Sequence, residues 1–172
     1  MLPKGFLLDV LQRVERHLPE LLRDDARWTS LDVAYEPPRV ERLWCPFEDG
    51  AFRIYLHRIH PCERALFHPH PWPSAIKILS GVYEMGIGYS PSEDDPPEVA
   101  TVLLTAGSSY EMIHPDGWHY VRPLGSPSLS LMVTGVPWET HAGTKRPAPG
   151  VVLQPLSAVA RTELLGAFRR LF

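Results

Sequence analysis

FHPHPWPSAIKILSG, residues 67–81, sets His68 and His70 ahead of an alternating apolar segment that a glycine ends. Side chains at positions i and i+2 of a strand project to one face, so a strand running through this stretch brings both imidazoles to one metal ion. A third histidine, His119, follows a Pro-Asp-Gly turn at 115–117 and opens another apolar segment. We therefore predict that these three histidines form a metal site inside a β-barrel.

The spacing alone carries a false-positive risk. With 8 histidines among 172 residues, about 0.4 His-x-His pairs arise by chance. The alternative for His68 and His70 is a surface pair on a turn, and for His119 it is a barrel histidine bonded to a carbonyl. His114, in the turn before His119, is a reserve ligand or a turn residue. The other four histidines are interpreted as structural or solvated: His17, His57, His60 and His141.

Composition excludes several classes of protein. The chain has 172 residues, of which 44% are apolar, enough for one domain with a buried core. A net charge of −3 and the lack of basic blocks argue against nucleic acid as a partner. Two cysteines, a start without a signal-peptide core and no bilayer-length apolar run predict a cytoplasmic protein without a membrane partner.

Alternating patterns predict an all-β centre between two helices. Apolar residues at three- and four-residue steps predict an amphipathic helix over 3–23, and a similar pattern predicts one over 157–171. Between them, 19 prolines separate short strands. Within a single domain, 1–172, we expect a barrel over about 30–153. The predicted strands are 52–57, Ser74 to Leu79, Val82 to Gly88, Ala100 to Leu104, Trp118 to Arg122 and Leu129 to Gly135.

These residues resemble the two motifs of the cupin superfamily. In the first motif, G-x5-H-x-H-x3-E-x6-G, the two histidines and Gly81 are in register, whereas Ser74 replaces the metal-binding glutamate. The second motif is matched loosely from Gly107 to His119. The resemblance implies a cupin double-stranded β-helix, or jelly-roll barrel, with His68, His70 and His119 as ligands.

A ligand set of three histidines without a carboxylate resembles the cysteine dioxygenase branch of thiol dioxygenases. The likeness covers about Arg42 to Trp138, and Arg42 resembles the arginine that holds the substrate carboxylate in that family. The family's crosslinked cysteine and tyrosine would fall at Ser74 and Thr134. Its Ser-His-Tyr relay would fall at Ser130, Met132 and Thr134, so most of the relay is absent. The β-diketone-cleaving dioxygenases share the ligand set and need no relay.

The resemblance implies Fe(II) as the metal and a dioxygenase-like reaction of dioxygen with a small anionic thiol, enol or carboxylate. Zinc, nickel and manganese also suit three imidazoles. The expected substrate-binding residues are Arg42, Ser74 and Met132, and Lys77 is expected to face away from the metal.

Two other functions fit the sequence. One is a non-catalytic cupin that binds a small molecule or a structural metal. The other is a sugar isomerase or epimerase, which needs a base such as Tyr83 or His114. Exposed sheet edges and apolar helices also favour a homodimer.

Overall fold

The structure of the protein, a computed structural model, describes residues 3–92, 96–139 and 151–172. Helix α1 spans Phe6–Leu21, a short 3-10 helix spans Asp25–Arg27, and helix α2 spans Ala158–Arg169. The strands in the described residues are β1 (Thr29–Val33), β2 (Val40–Phe47), β3 (Phe52–Ile59), β4 (His68–Pro69), β5 (Ser74–Ser80), β6 (Val82–Tyr89), β7 (Glu98–Thr105), β8 (Ser109–Met112), β9 (Gly117–Pro123) and β10 (Ser128–Thr134).

The strands form two antiparallel sheets. The larger sheet has the order β1-β2-β3-β10-β5-β8, and the smaller has the order β4-β9-β6-β7. Neighbours that are distant in sequence, such as β3 and β10, make this a double-sheet jelly roll rather than a series of hairpins. The predicted all-β barrel with a helix near each end of the chain is confirmed.

Helix α1 lies against the outer face of the larger sheet, and buried residues of α2 join the same hydrophobic cluster. The apolar stripe of α1 is fully buried there, and Lys77 on β5 pairs with Glu15 on the same helix at 2.7 Å. Helix α2 begins after Ser157, whose Oγ accepts a hydrogen bond from the Ala160 amide at 3.2 Å. Lys77 therefore faces away from the barrel interior, as strand parity predicted. No helix in the described part of the chain is long and apolar enough to cross a bilayer.

The main hydrophobic cluster lies between the helices and the larger sheet, outside the barrel. It combines α1 residues with outward-facing residues of the central strands, such as Leu56 on β3 and Leu131 on β10, neither of which is exposed. Because side chains alternate along a strand, the residues between these, such as His57 and Ser130, face the other sheet. The barrel interior is thus left to a separate, more polar set of side chains.

The structure corrects one prediction about the histidine pair. His68 and His70 do not open the strand that continues to Gly81. Instead, β4 belongs to the smaller sheet, where His68 pairs with His119, and β5 belongs to the larger sheet. Prolines at 69, 71 and 73 lack amide donors, so a hydrogen-bonded ladder cannot run through this segment. The segment instead carries the chain from one sheet to the other.

Candidate metal centre

Three imidazoles from two elements meet inside the barrel. His119 Nε2 on β9 lies 3.1 Å from His68 Nε2 on β4 and 3.1 Å from His70 Nε2, which follows β4 directly. One nitrogen from each ring lies within 4.8 Å of the other two. The β4–β9 register places His68 opposite His119, and the proline-rich segment holds His70 beside them. The structure therefore brings together the three histidines predicted as ligands.

Hydrogen bonds at the other ring nitrogens orient the imidazoles. His68 Nδ1 lies 3.2 Å from the Leu66 carbonyl oxygen, which can only accept, so Nδ1 carries the proton and Nε2 keeps its lone pair. His70 Nδ1 lies 2.7 Å from Ser74 Oγ, and His119 Nδ1 lies 3.3 Å from the Tyr110 hydroxyl. Such partners fix the tautomer and the ring angle of metal-binding histidines.

The donor set fits a divalent metal ion. Three Nε2 atoms that face one another at this distance can each offer a lone pair to a single cation between them. Two nitrogens bound at about 2.1 Å to one ion lie about 3.0 Å apart at a right angle and about 3.4 Å apart at a tetrahedral angle. The two separations of 3.1 Å match the right-angled arrangement, which leaves room for other ligands.

Burial keeps the rings of His70 and His119 neutral. Burial, with the nearby His68 and Arg42, lowers the pKa of His70 to about 3. Burial also lowers the pKa of His119 well below its ordinary value, and His68 and His70 add to that effect. Since only a neutral imidazole can bind a metal, both rings are ready to bind one at neutral pH.

The same pKa shifts predict how the stability of the metal-free protein depends on pH. Between about pH 6.5 and the folded-state pKa of about 3 for His70, the unfolded chain binds protons that the folded chain refuses. The free energy of unfolding therefore falls as the pH falls, by on the order of 1.4 kcal/mol per pH unit for each such ring. We expect His119→Leu to reduce this slope by the contribution of one ring, about 1.4 kcal/mol per pH unit. Denaturant titrations at pH 7, 6 and 5 measure the slope.

The control for this pH prediction is His17→Leu, which removes an exposed ring on α1, outside the barrel. Identical slopes for wild type and His119→Leu would contradict the prediction.

A cavity of about 380 Å³ adjoins the three histidines. Its wall includes Arg42, whose Nε donates to His57 Nε2 at 3.0 Å and whose guanidinium lies 5.2 Å from the centre of the Tyr55 ring. No carboxylate pairs with Arg42 among the described residues. Burial lowers the pKa of Arg42, yet a guanidinium stays charged in proteins. The guanidinium of Arg42 therefore lines the cavity without an ion-pair partner among the described residues.

The other predicted site residues have mixed positions. Met132 and Ser130 line the cavity together with Arg42. Ser74 is fully buried, and its Oγ bonds to His70. The reserve ligand His114 is exposed in its turn, where its Nδ1 accepts a hydrogen bond from the Asp116 amide at 3.2 Å. His114 therefore has the predicted turn role and does not join the other three histidines.

Two residues of the site were not predicted. His57, interpreted as structural or solvated, lines the cavity and holds Arg42. Tyr110 reaches His119 and receives a hydrogen bond from the Tyr83 hydroxyl at 3.2 Å. Alternation along 52–57 placed His57 on one face of its strand, but only the β2–β3 register sets it opposite Arg42. His141 lies outside the described residues.

We expect Ser74→Ala to lower metal affinity by about tenfold, because its Oγ holds His70 in its binding orientation. The measurement is competition with a chromogenic chelator for Zn(II). Ser130→Ala is the matched control, since its Oγ is equally buried but has no partner among the described residues. Equal losses of affinity in the two variants would contradict the role given to Ser74.

Comparison with known proteins gives a fold but no family assignment. No family model matches the sequence, and no curated protein sequence matches it. Among solved structures, Fe(II)-HppE with the alternative substrate (S)-1-HPP has 14% identity over 66% of this chain and 58% of its own, with a TM-score of 0.51. Fe(II) HppE has 13% identity over 63% of this chain and 57% of its own, with a TM-score of 0.50.

An RmlC-like cupin from Shewanella frigidimarina has 12% identity over 66% of this chain and 87% of its own, with a TM-score of 0.48. The chain thus spans less than two thirds of the two HppE chains. At these identities the likeness to the two HppE chains shows the fold alone.

Proposed function

We propose that this protein, which has the cupin fold, is a mononuclear metalloenzyme that binds a divalent metal, Fe(II) in our proposal, through His68, His70 and His119. We further propose a dioxygenase-like reaction on a small anionic substrate. The observation that carries the proposal is the convergence of three imidazoles beside the half-buried Arg42, which has no acid partner among the described residues. Neutral ligands leave the full charge of the metal for an anionic substrate, and Arg42 adds a second cationic group.

When bound, Fe(II) supplies the redox chemistry by which an organic substrate reacts with dioxygen. The protein's own part is binding and orientation. The guanidinium of Arg42 binds the acid group of the substrate through its remaining N–H donors. His57 sets the angle of the guanidinium, because its Nε2 occupies the Arg42 Nε donor. Apolar side chains such as Ile76 and Val121 exclude water from the cavity.

Two features bear on the kind of reaction. The relay positions hold Met132 and Thr134, neither of which exchanges protons near neutral pH, and this favours a substrate that is already anionic, or a protein that only binds its ligand. An isomerase requires a base, but His114 is exposed in its turn and the Tyr83 hydroxyl donates a hydrogen bond to the Tyr110 hydroxyl. The cysteine dioxygenase branch, the homodimer and the cytoplasmic location stay predictions.

Metal analysis followed by oxygen uptake tests the proposed function. We expect plasma mass spectrometry of freshly purified protein to find close to one metal ion per chain. After anaerobic loading with Fe(II), oxygen uptake should require both iron and a member of a panel of small thiols and β-diketones. No metal after reconstitution with iron, zinc, nickel and manganese would overturn the proposal. Bound metal without oxygen uptake would instead favour the binding protein.

A further inference from the structure

Strand register arranges the inward face of the larger sheet into two neighbouring rows. Arg42 pairs with His57, and His57 pairs with Ser130, so these three form a polar row across β2, β3 and β10. Two residues further along the strands, on the same face, lies an apolar row across β3, β10, β5 and β8. Its members are Tyr55, Met132, Ile76 and Tyr110. The cavity thus has a polar strip beside an apolar strip.

The polar row contains one buried donor without an acceptor, the Oγ of Ser130, among the described residues. Arg42 in the same row donates from Nε to His57 and has no acid partner in the described part of the chain. A buried donor without an acceptor costs on the order of 1–3 kcal/mol, so such donors mark where a ligand's oxygens belong. The only other formally charged side chain that lines the cavity in the described part is Glu36, which is half-buried. Arg42 presents one guanidinium to this side of the cavity, which suits a ligand with a single acid group.

The apolar row is extended by an aromatic ring from the segment between the sheets. The Trp72 ring lies 6.2 Å from the Tyr55 ring at an interplanar angle of 12° and lines the cavity. Pro71 and Pro73 restrict the backbone on either side of this tryptophan, which stands two residues after His70. A flat apolar surface is therefore held beside the candidate metal centre. Such a surface suits a planar group better than a short aliphatic chain.

The size of the cavity agrees with a ring-sized ligand. Its 380 Å³ falls within the range of about 300–1,000 Å³ that is typical of pockets for whole small molecules. An acid of two or three carbons would leave most of the apolar wall in contact with water. A larger ligand that covers this wall gains about 25 cal/mol for each Å² of apolar surface that it buries. The short acid does not make this contribution.

We propose that the substrate is a singly charged organic acid with a ring-sized apolar body, of the arylalkanoic acid type. The acid group binds Arg42 and Ser130 in the polar row, and the ring packs on Trp72 and the apolar row. This inference rests on the proposed function, since it assigns the substrate of the same site. Neither Arg42 nor Trp72 is a proposed metal ligand. The preference for an acid that carries a ring therefore exists in the metal-free protein as well.

Binding of phenylacetate and acetate to metal-free and Zn(II)-loaded protein tests this inference, by NMR titration. The two probes share the acid group and differ by the ring. We expect phenylacetate to bind at least about tenfold more tightly, the effect of burying one ring. Equal affinities, or no binding of phenylacetate, would overturn the inference. Absence of bound metal would contradict only the proposed function, because the comparison is also made without metal.

A pair of variants locates the ring. Trp72→Leu should reduce the preference for phenylacetate over acetate by at least about fivefold, because a flat contact surface is lost. The matched control, Tyr89→Leu, removes an exposed ring that does not line the cavity and should leave the preference unchanged. An unchanged preference in Trp72→Leu would overturn the placement of the ring on this wall. The wild-type titration with phenylacetate, followed by the shift of its resonances, tests the inference without either variant. That result does not depend on how well the variants fold.

Discussion

His119→Ala abolishes metal binding: we expect the metal content to fall from close to one ion per chain to background. His119 is the ring that both other histidines approach, at 3.1 Å each, so its loss leaves two ligands that no longer share a common neighbour. Loss of one of three protein ligands is expected to cost at least about a thousandfold in affinity, which exceeds the tenfold to hundredfold effect of an outer partner. Plasma mass spectrometry after dialysis against a weak chelator measures the change.

The control for this variant is His114→Ala, which removes a histidine five residues earlier in the chain. Its side chain is exposed and bonds within its own turn, so metal content should match that of wild type. Retention of metal in His119→Ala, or equal loss in both variants, would show that the three rings do not act as one site.

Arg42→Gln weakens phenylacetate binding by at least about a hundredfold, within the 2–5 kcal/mol range for removing one partner of a buried charged contact. The reason is the lack of any acid partner for Arg42 in the described chain, which leaves a ligand's acid group as its counter-ion. Because no internal ion pair is broken, the melting temperature of the ligand-free variant should not fall as it does when a structural ion pair loses one member. Titration and thermal unfolding together separate binding from folding.

Arg53→Gln is the matched control for Arg42→Gln. Both guanidinium groups lie 5.2 Å from the centre of an aromatic ring, Tyr55 for Arg42 and Trp44 for Arg53, but Arg53 is exposed and does not line the cavity. We expect phenylacetate affinity in Arg53→Gln to stay within about twofold of wild type, as is usual for an exposed charge. A comparable loss of affinity in both variants would mean that net charge alone attracts the acid.

The sequence indicated the fold and the three histidines because both depend on local patterns. Alternating apolar residues identify strands, and two histidines separated by one residue carry their own geometric meaning. The prediction failed where local pattern and hydrogen bonding disagree. We predicted that His68 and Ser74 lie on one strand. The intervening prolines have no amide hydrogens, and the structure places His68 and Ser74 in different sheets.

The remaining site residues depend on register, which the sequence does not show. His57 meets Arg42 because β2 and β3 pair at those positions, and Tyr110 reaches His119 from the other sheet. A shift of one residue in either pairing would send these side chains to the opposite face. Ser74 illustrates the same limit, since its place in a motif suggested a contact with substrate, whereas the folded chain bonds its hydroxyl to His70.

The position of the main hydrophobic cluster outside the barrel has an evolutionary consequence. Most of the apolar burial that stabilises this protein comes from α1, α2 and the outer face of the larger sheet. Side chains such as Met132 and Ile76 on the inner face can therefore be exchanged with less effect on that cluster. Proteins are marginally stable, so mutations that bring a protein below its folding threshold are removed by selection. Because the cavity is separate from the main cluster, its residues can change and alter ligand preference while the fold stays stable.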